Sequence, residues 1–294
     1  MSSVATARTR RRTRDPANIA LGVWGALVYG FLFLPILVIV VYSFNSGRAL
    51  LAWNGIGLNS YRTGLTNPTI INAIKTSVAA AAGASFISTV LGSFAGIALA
   101  RRKGRWVPLF IALLLLILVT PEIVDAIALL IWYVRLGGPF GTDTIPAVSH
   151  GILRLWIGHS LFSTAVVTLI VRARLQGLEE ALEEAAADLY ASPWKRFREI
   201  TLPLMMPAVL ASALLSFSFS LDDTIISTFV SVPGASPWPV YVFSSVRAVL
   251  RPEIASVSTI LLLLTLLAIA TVALVLRRSG QSSEEVAKTM TVGG

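Results

Sequence analysis

The chain has 294 residues, of which 55% are hydrophobic and 13% charged, and its mean hydropathy is +0.77. Soluble domains carry about 25% charged residues, so this composition excludes an ordinary soluble protein and makes a lipid bilayer the main solvent. The net charge of +9 would suit nucleic acid, but the basic residues alternate with apolar runs instead of forming one patch, so no nucleic-acid partner is expected.

Residues 1–18 are polar and basic and read as a cytoplasmic tail. A helix needs about 20 apolar residues to cross about 30 Å of hydrocarbon. On that measure the sequence predicts an all-α integral membrane protein of about six spans, near 19–43, 72–100, 107–132, 152–171, 205–231 and 256–276. The first run is too long for a signal-peptide core and lacks a small-residue cleavage site, so it is expected to be retained as a helix. The transmembrane domain therefore covers 19–276, interrupted by a polar loop at 177–203 and followed by a tail at 277–294. Of the 24 basic residues, 17 fall in the tails, in 101–105 and in 172–198, which places both termini and the polar loop in the cytoplasm.

Outside the membrane, 45–71 and 134–151 carry turn-forming glycines and prolines, and 233–255 holds four prolines around a short helix expected near 240–250. Within the spans, acids stand out. Four ionised carboxylates facing lipid would cost on the order of 10 kcal/mol, so Glu122, Asp125, Asp222 and Asp223 should face protein or water. Glu122 and Asp125 share a helix face, and Pro121 removes a backbone donor and should distort the third span. In the fifth span Ser212, Ser216, Ser220, Asp223 and Ser227 fall within an arc of about 80° at helical spacing, while Asp222 points about 100° away. The serines suit close helix packing as well as pathway lining. Together Glu122, Asp125, Ser216, Ser220, Asp222 and Asp223 are the candidate substrate pathway, suited to a cation because a carboxylate offsets the dehydration of an ammonium group.

No cysteine is present, and the only histidines, His150 and His159, have no metal-ligand spacing. His159 reads as a polar packing residue. The dipeptide Gly-Lys of a phosphate-binding loop does not occur.

The loop at 177–203 has its own pattern. It reads as two short helices meeting near 190–193, with Leu178, Leu182 and Ala185 on one side and Glu179, Glu180, Glu183 and Glu184 on the other. Ser192 suits an N-cap and Pro193 a first helical position. Ala185 and Ala186 let another surface approach closely, and Glu184 can accept paired hydrogen bonds from an arginine.

Glu184-Ala185-Ala186, three residues, Tyr190, nine residues, then Ile200-Thr201-Leu202-Pro203 resembles the "EAA" loop by which ABC importer permeases grip their ATPase subunits. Phe33-Leu34-Pro35, Tyr42-Ser43-Phe44-Asn45, Pro121-Glu122-Ile123-Val124, Leu221-Asp222-Asp223 and Pro252-Glu253-Ile254 extend the likeness over roughly four fifths of the chain. It looks like the second permease of spermidine/putrescine-type importers. That resemblance implies a type I importer permease fold and a bacterial inner-membrane location. The expected partners are a second permease, two ATPase subunits, an extracytoplasmic binding protein and the bilayer. ATP and Mg would be bound by the ATPases, leaving this chain without cofactor or catalysis. It also implies that Glu183, Glu184, Ala185, Ala186, Asp188, Tyr190, Ser192 and Pro203 couple to the ATPase.

One residue departs from the family: Gly is usual where Tyr190 stands. Glycine permits positive φ, whereas tyrosine is strained there. Either the turn stays right-handed or the ring packs on the ATPase; the second is expected. Two other functions fit the sequence less well. An ion-gradient-driven carrier or channel relaying through Glu122, Asp125 and Asp223 leaves the loop unexplained. An aspartyl protease needs two convergent aspartates, but Asp222 and Asp223 diverge along the helix.

Overall fold

The computed structural model describes residues 16–47, 49–50, 52–102, 104–135, 150–178, 181–247 and 251–278. Residues 1–15 of the expected tail at 1–18, residues 279–294 of that at 277–294, most of the 134–151 loop, and Glu179 and Glu180 lie outside them; residues 16–18 and 277–278 are helical. Among the described residues the regular structure is helical, because a chain in hydrocarbon must satisfy its backbone internally. Among the described residues extended pairing is limited to one isolated bridge between Asn45 and Ile56.

Among the described residues five helical stretches are long and apolar enough to cross a membrane: Ile19–Tyr42 in α1 (Pro16–Tyr42), α3 (Pro68–Arg101), Gly151–Gln176 in α6 (His150–Gln176), Pro193–Asp222, and Pro252–Val275 in α12 (Pro252–Arg278). The sixth apolar run departs from the straight span expected at 107–132. It is a pair, α4 (Trp106–Val119) and α5 (Glu122–Arg135), bent by 99°. Pro121 explains the break: it has no N–H to donate, and it forces Thr120 into an extended conformation with ψ 130°.

The fifth span also needs correction at both ends. A short helix α8 (Pro193–Arg196) runs through a π-helical turn (Phe197–Thr201) into α9 (Leu202–Asp222). The second arm of the loop is thus no separate short helix but the base of a membrane helix. At the other end the helix stops at Asp222 and a new one, α10 (Ile225–Val230), begins. No proline sits there. Instead Asp223 Oδ1 accepts a hydrogen bond from Ser227 N at 3.1 Å, a local side-chain bond that competes with helix continuation.

α3 is the central helix. Asn67 Oδ1 caps its start by accepting from Thr69 N at 3.0 Å, and its small residues bury against α6 and α9. A Cβ placed on Gly92 would lie 2.7 Å from Val167 Cβ, and one on Gly96 would lie 2.9 Å from Thr168 O. Two glycines four apart therefore let the helices touch at backbone distance. Gly96→Ala is expected to destabilise the bundle by about 1–3 kcal/mol through overpacking. Thermal unfolding in detergent checks this; an unchanged midpoint would mean α6 moves aside freely.

At the end of α3 away from the polar loop, two short helices cover the bundle, α2 (Asn59–Thr66) and α11 (Trp238–Val246). The second is the helix expected near 240–250. Buried Asn45 organises the adjoining turn: its Oδ1 accepts from Gly47 N and Asn54 N at 3.0 and 3.1 Å, and its Nδ2 donates to Ala52 O at 2.8 Å. By contrast α1 packs beside α12 with most of its described apolar side chains exposed.

Candidate functional site

Two helix breaks create the first candidate site. The α4–α5 bend puts Glu122 and Asp125 in the opening turn of α5, and the α9–α10 break puts Asp222 and Asp223 beside them. Between lies a cavity of ≈ 390 Å³ whose wall includes all four acids and Ser220. On the apolar side stand Phe162 and Phe219, edge to face with ring centroids 5.7 Å apart.

His159 is the member that sequence reasoning undervalued. It rises from α6, is almost wholly buried, and also borders the cavity. Its Nδ1 lies 2.6 Å from Ser220 Oγ and its Nε2 lies 3.0 Å from Ser227 Oγ, while Asp223 Oδ1 is 3.9 Å from Nε2. The ring thus staples the end of α9 to the start of α10 across the break. Ser227, expected on the same helix face as Ser220, belongs to the next helix and still meets the same histidine.

Ser216 does not reach the cavity. Its Oγ lies 2.6 Å from Ser88 Oγ on α3, both buried, so it joins two helices; Ser212 bonds its own helix at Val209 O. Five of the six expected pathway residues line the cavity, and Ser216 is a packing residue. Chemically the pocket is acidic on one side and aromatic on the other, which suits a small organic cation with an apolar stem. Among the described residues no three His, Asp or Glu groups converge as metal ligands.

The second site is the polar loop. α7 (Ala181–Asp188) ends in two bonds, Ala191 N to Ala186 O at 3.0 Å and Tyr190 N to Ala187 O at 2.9 Å. That pairing is a Schellman C-cap, which requires a left-handed residue at the position of Tyr190. Tyr190 adopts it, with φ 59°, and is 97% exposed. The right-handed alternative is thereby excluded. The strained turn is kept despite the tyrosine. Ser192 caps α8, accepting from Lys195 N at 3.4 Å.

Glu184, Ala185, Asp188, Ser192 and Pro203 are exposed and Ala186 half-buried. Leu189 and Trp194, not anticipated, are exposed alongside them. Glu183 differs from the expected coupling surface. Its Oε1 lies 2.6 Å from Arg101 Nη2 at the end of α3 and accepts from Thr201 Oγ1 at 2.8 Å. It points into its own chain. One residue per 100° of helix separates it from outward-facing Glu184.

Comparison with known proteins follows the same geometry. The family described as "binding-protein-dependent transport system inner membrane component" matches residues 88–282. The putrescine transport system permease protein PotI of Escherichia coli K12 is 38% identical over 250 residues, 85% of this chain and 86% of the relative. The spermidine/putrescine transport system permease protein PotC of the same strain is 34% identical over 250 residues, covering 85% and 91%. Among solved structures, a bacterial alginate ABC transporter in complex with its periplasmic protein superposes with a TM-score of 0.69 at 13% identity, covering 88% of this chain and 94% of that one. The inward-facing MetNI methionine ABC transporter gives 0.56 at 14% identity, covering 73% and 99%. These likenesses fix the fold as that of a type I importer permease, and with the family match they make the chain a multi-pass membrane protein of the binding-protein-dependent transport system inner membrane components, a permease subunit of an ABC importer.

Proposed function

We propose that the chain forms half of the translocation pathway of an ATP-driven importer for polyamines or a related small cationic amine. The observation that carries this is the cavity, where four carboxylates and two phenylalanines meet at paired helix breaks. A flexible diammonium chain matches both walls, the ends to the acids and the methylenes to the rings. The names of the relatives, putrescine and spermidine permeases, support the same substrate class.

In this reading a second permease supplies the other half, two ATPase subunits bind ATP and Mg, and an extracytoplasmic binding protein delivers substrate. The chain makes and breaks no covalent bond. Both termini, the tails at 1–18 and 277–294 and the loop at 177–203 lie in the cytoplasm. There Glu184, Ala185, Ala186, Asp188, Tyr190, Ser192 and Pro203 dock on an ATPase, whose closure turns the helices as rigid bodies.

Uptake of radiolabelled putrescine into proteoliposomes holding the whole importer tests the substrate. Competition by spermidine but not by sugars or acidic substrates is expected; no putrescine uptake would sink the amine assignment. ATP-independent uptake by this chain alone would overturn the importer reading itself. Docking has its own test. Glu184→Lys reverses an exposed charge meant to face an arginine, and is expected to reduce co-purification of the ATPase roughly ten-fold. Wild-type recovery would remove Glu184 from the docking surface.

A further inference from the structure

We infer that Glu183 is a positioning residue that clamps the loop to the membrane helices, so that displacement of α7 moves α3 and the base of α9 together. The inference rests on the docking reading above, and it removes Glu183 from the surface offered to the ATPase.

The geometry is a single oxygen shared by two donors. Glu183 Oε1 receives Arg101 Nη2 at 2.6 Å and Thr201 Oγ1 at 2.8 Å. The three residues come from three elements: Arg101 ends α3, Glu183 sits in α7, and Thr201 closes the π-helical turn below α9. Arg101 and Glu183 retain only 20% and 27% side-chain exposure, and Thr201 is buried. Bonds to an ionised, partly desolvated carboxylate are shorter and stronger than neutral ones, and their two directions fix the carboxylate in place. π-helical turns occur frequently at functional sites, and here the turn is the one Glu183 holds.

Apolar packing completes the joint. Leu178, Phe197 and Leu202 pack on a buried cluster of Val167, Val171, Leu175 and Met205, so the base of the loop is set against α6. Beyond the joint, α3 is tied to α9 by Ser85 Oγ donating to Ala213 O at 2.7 Å and by the Ser88–Ser216 pair. α9 ends at the Asp222–Asp223 break that walls the cavity. A rigid route thus runs from α7 through Glu183 to the acids.

An alternative role for the same contacts is plain stabilisation of the loop, and exposed ion pairs often contribute little even to that. The two are separated by measuring amine transported per ATP hydrolysed in the reconstituted importer, together with ATPase co-purification. Glu183→Ala is expected to keep the ATPase in the complex and to lower the transport-to-ATP ratio several-fold. Thr201→Val keeps the charge pair and removes one bond, so it should lower the ratio less. Exchanging the charges, Arg101→Glu with Glu183→Arg, should recover part of the loss. If Glu183→Ala yields no intact complex, Thr201→Val alone decides: a lowered ratio supports the clamp and a wild-type ratio overturns it. Loss of the ATPase from an otherwise intact Glu183→Ala permease would put Glu183 back in the docking surface and overturn the clamp. Absence of the ATPase from the wild-type complex would instead overturn the docking reading, and the clamp with it.

Discussion

Asp223→Asn is expected to lower amine uptake roughly thirty-fold, because hydrogen bonds to charged groups are worth about 1.5–3 kcal/mol and 2 kcal/mol corresponds to that factor. The substitution is chosen to spare the fold. Asparagine keeps an Oδ1 that can accept from Ser227 N, so the cap that opens α10 survives. What it loses is the negative charge beside Glu122 and His159 at the cavity wall. Initial rates of putrescine uptake in proteoliposomes, normalised to assembled importer, read the effect. Ser212→Ala is the control, since Ser212 bonds its own helix at Val209 O away from the cavity. Wild-type uptake by Asp223→Asn would take that carboxylate out of the pathway, and an equal loss in the control would attribute the effect to helix packing.

The contrast between these two residues also marks how far the sequence could be read. Apolar length located the membrane-crossing runs, because hydrocarbon thickness sets it directly, but not the break within 107–132 or the ends of the fifth span. The α4–α5 break was legible as a distortion, since Pro121 cannot continue a hydrogen-bond ladder. Its 99° angle was not, because the packing of both arms decides it. The α9–α10 break carried no proline or glycine. A run of polar residues at helical spacing continued smoothly to Ser227, and at the interruption Ser227 N donates to Asp223 Oδ1 and Thr224 Oγ1 to Asp222 O.

Side-chain partners were less legible still. A serine stripe states which face is polar but not which helix it meets, so Ser220 and Ser216 looked alike. One meets His159 and the other Ser88. His159 looked like a lone polar residue in an apolar helix; its partners lie 61 and 68 residues away. Glu183 and Glu184 were both read as part of the coupling surface for the same reason. Arg101, which separates them in role, is 82 residues from Glu183.

Tyr190→Gly is expected to have opposite effects on the chain alone and on the complex, which makes it informative about the loop's one departure from its family. In the chain alone it removes a left-handed tyrosine, whose conformation costs about 1–2 kcal/mol relative to the right-handed one. Slower amide exchange at 186–191 should follow, because glycine meets the Schellman cap without strain. In the complex it removes the ring of a residue that is 97% exposed. Interface tyrosines of this kind act as hot spots of at least about 2 kcal/mol, so ATPase affinity should fall roughly thirty-fold. Tyr190→Asn separates the two effects: asparagine tolerates positive φ but lacks the ring. If both variants lose ATPase to a similar degree, the ring makes the contact and the strain persists because the contact outweighs it. If Tyr190→Gly binds as the wild type does, the ring touches nothing and tyrosine is merely tolerated at a glycine position.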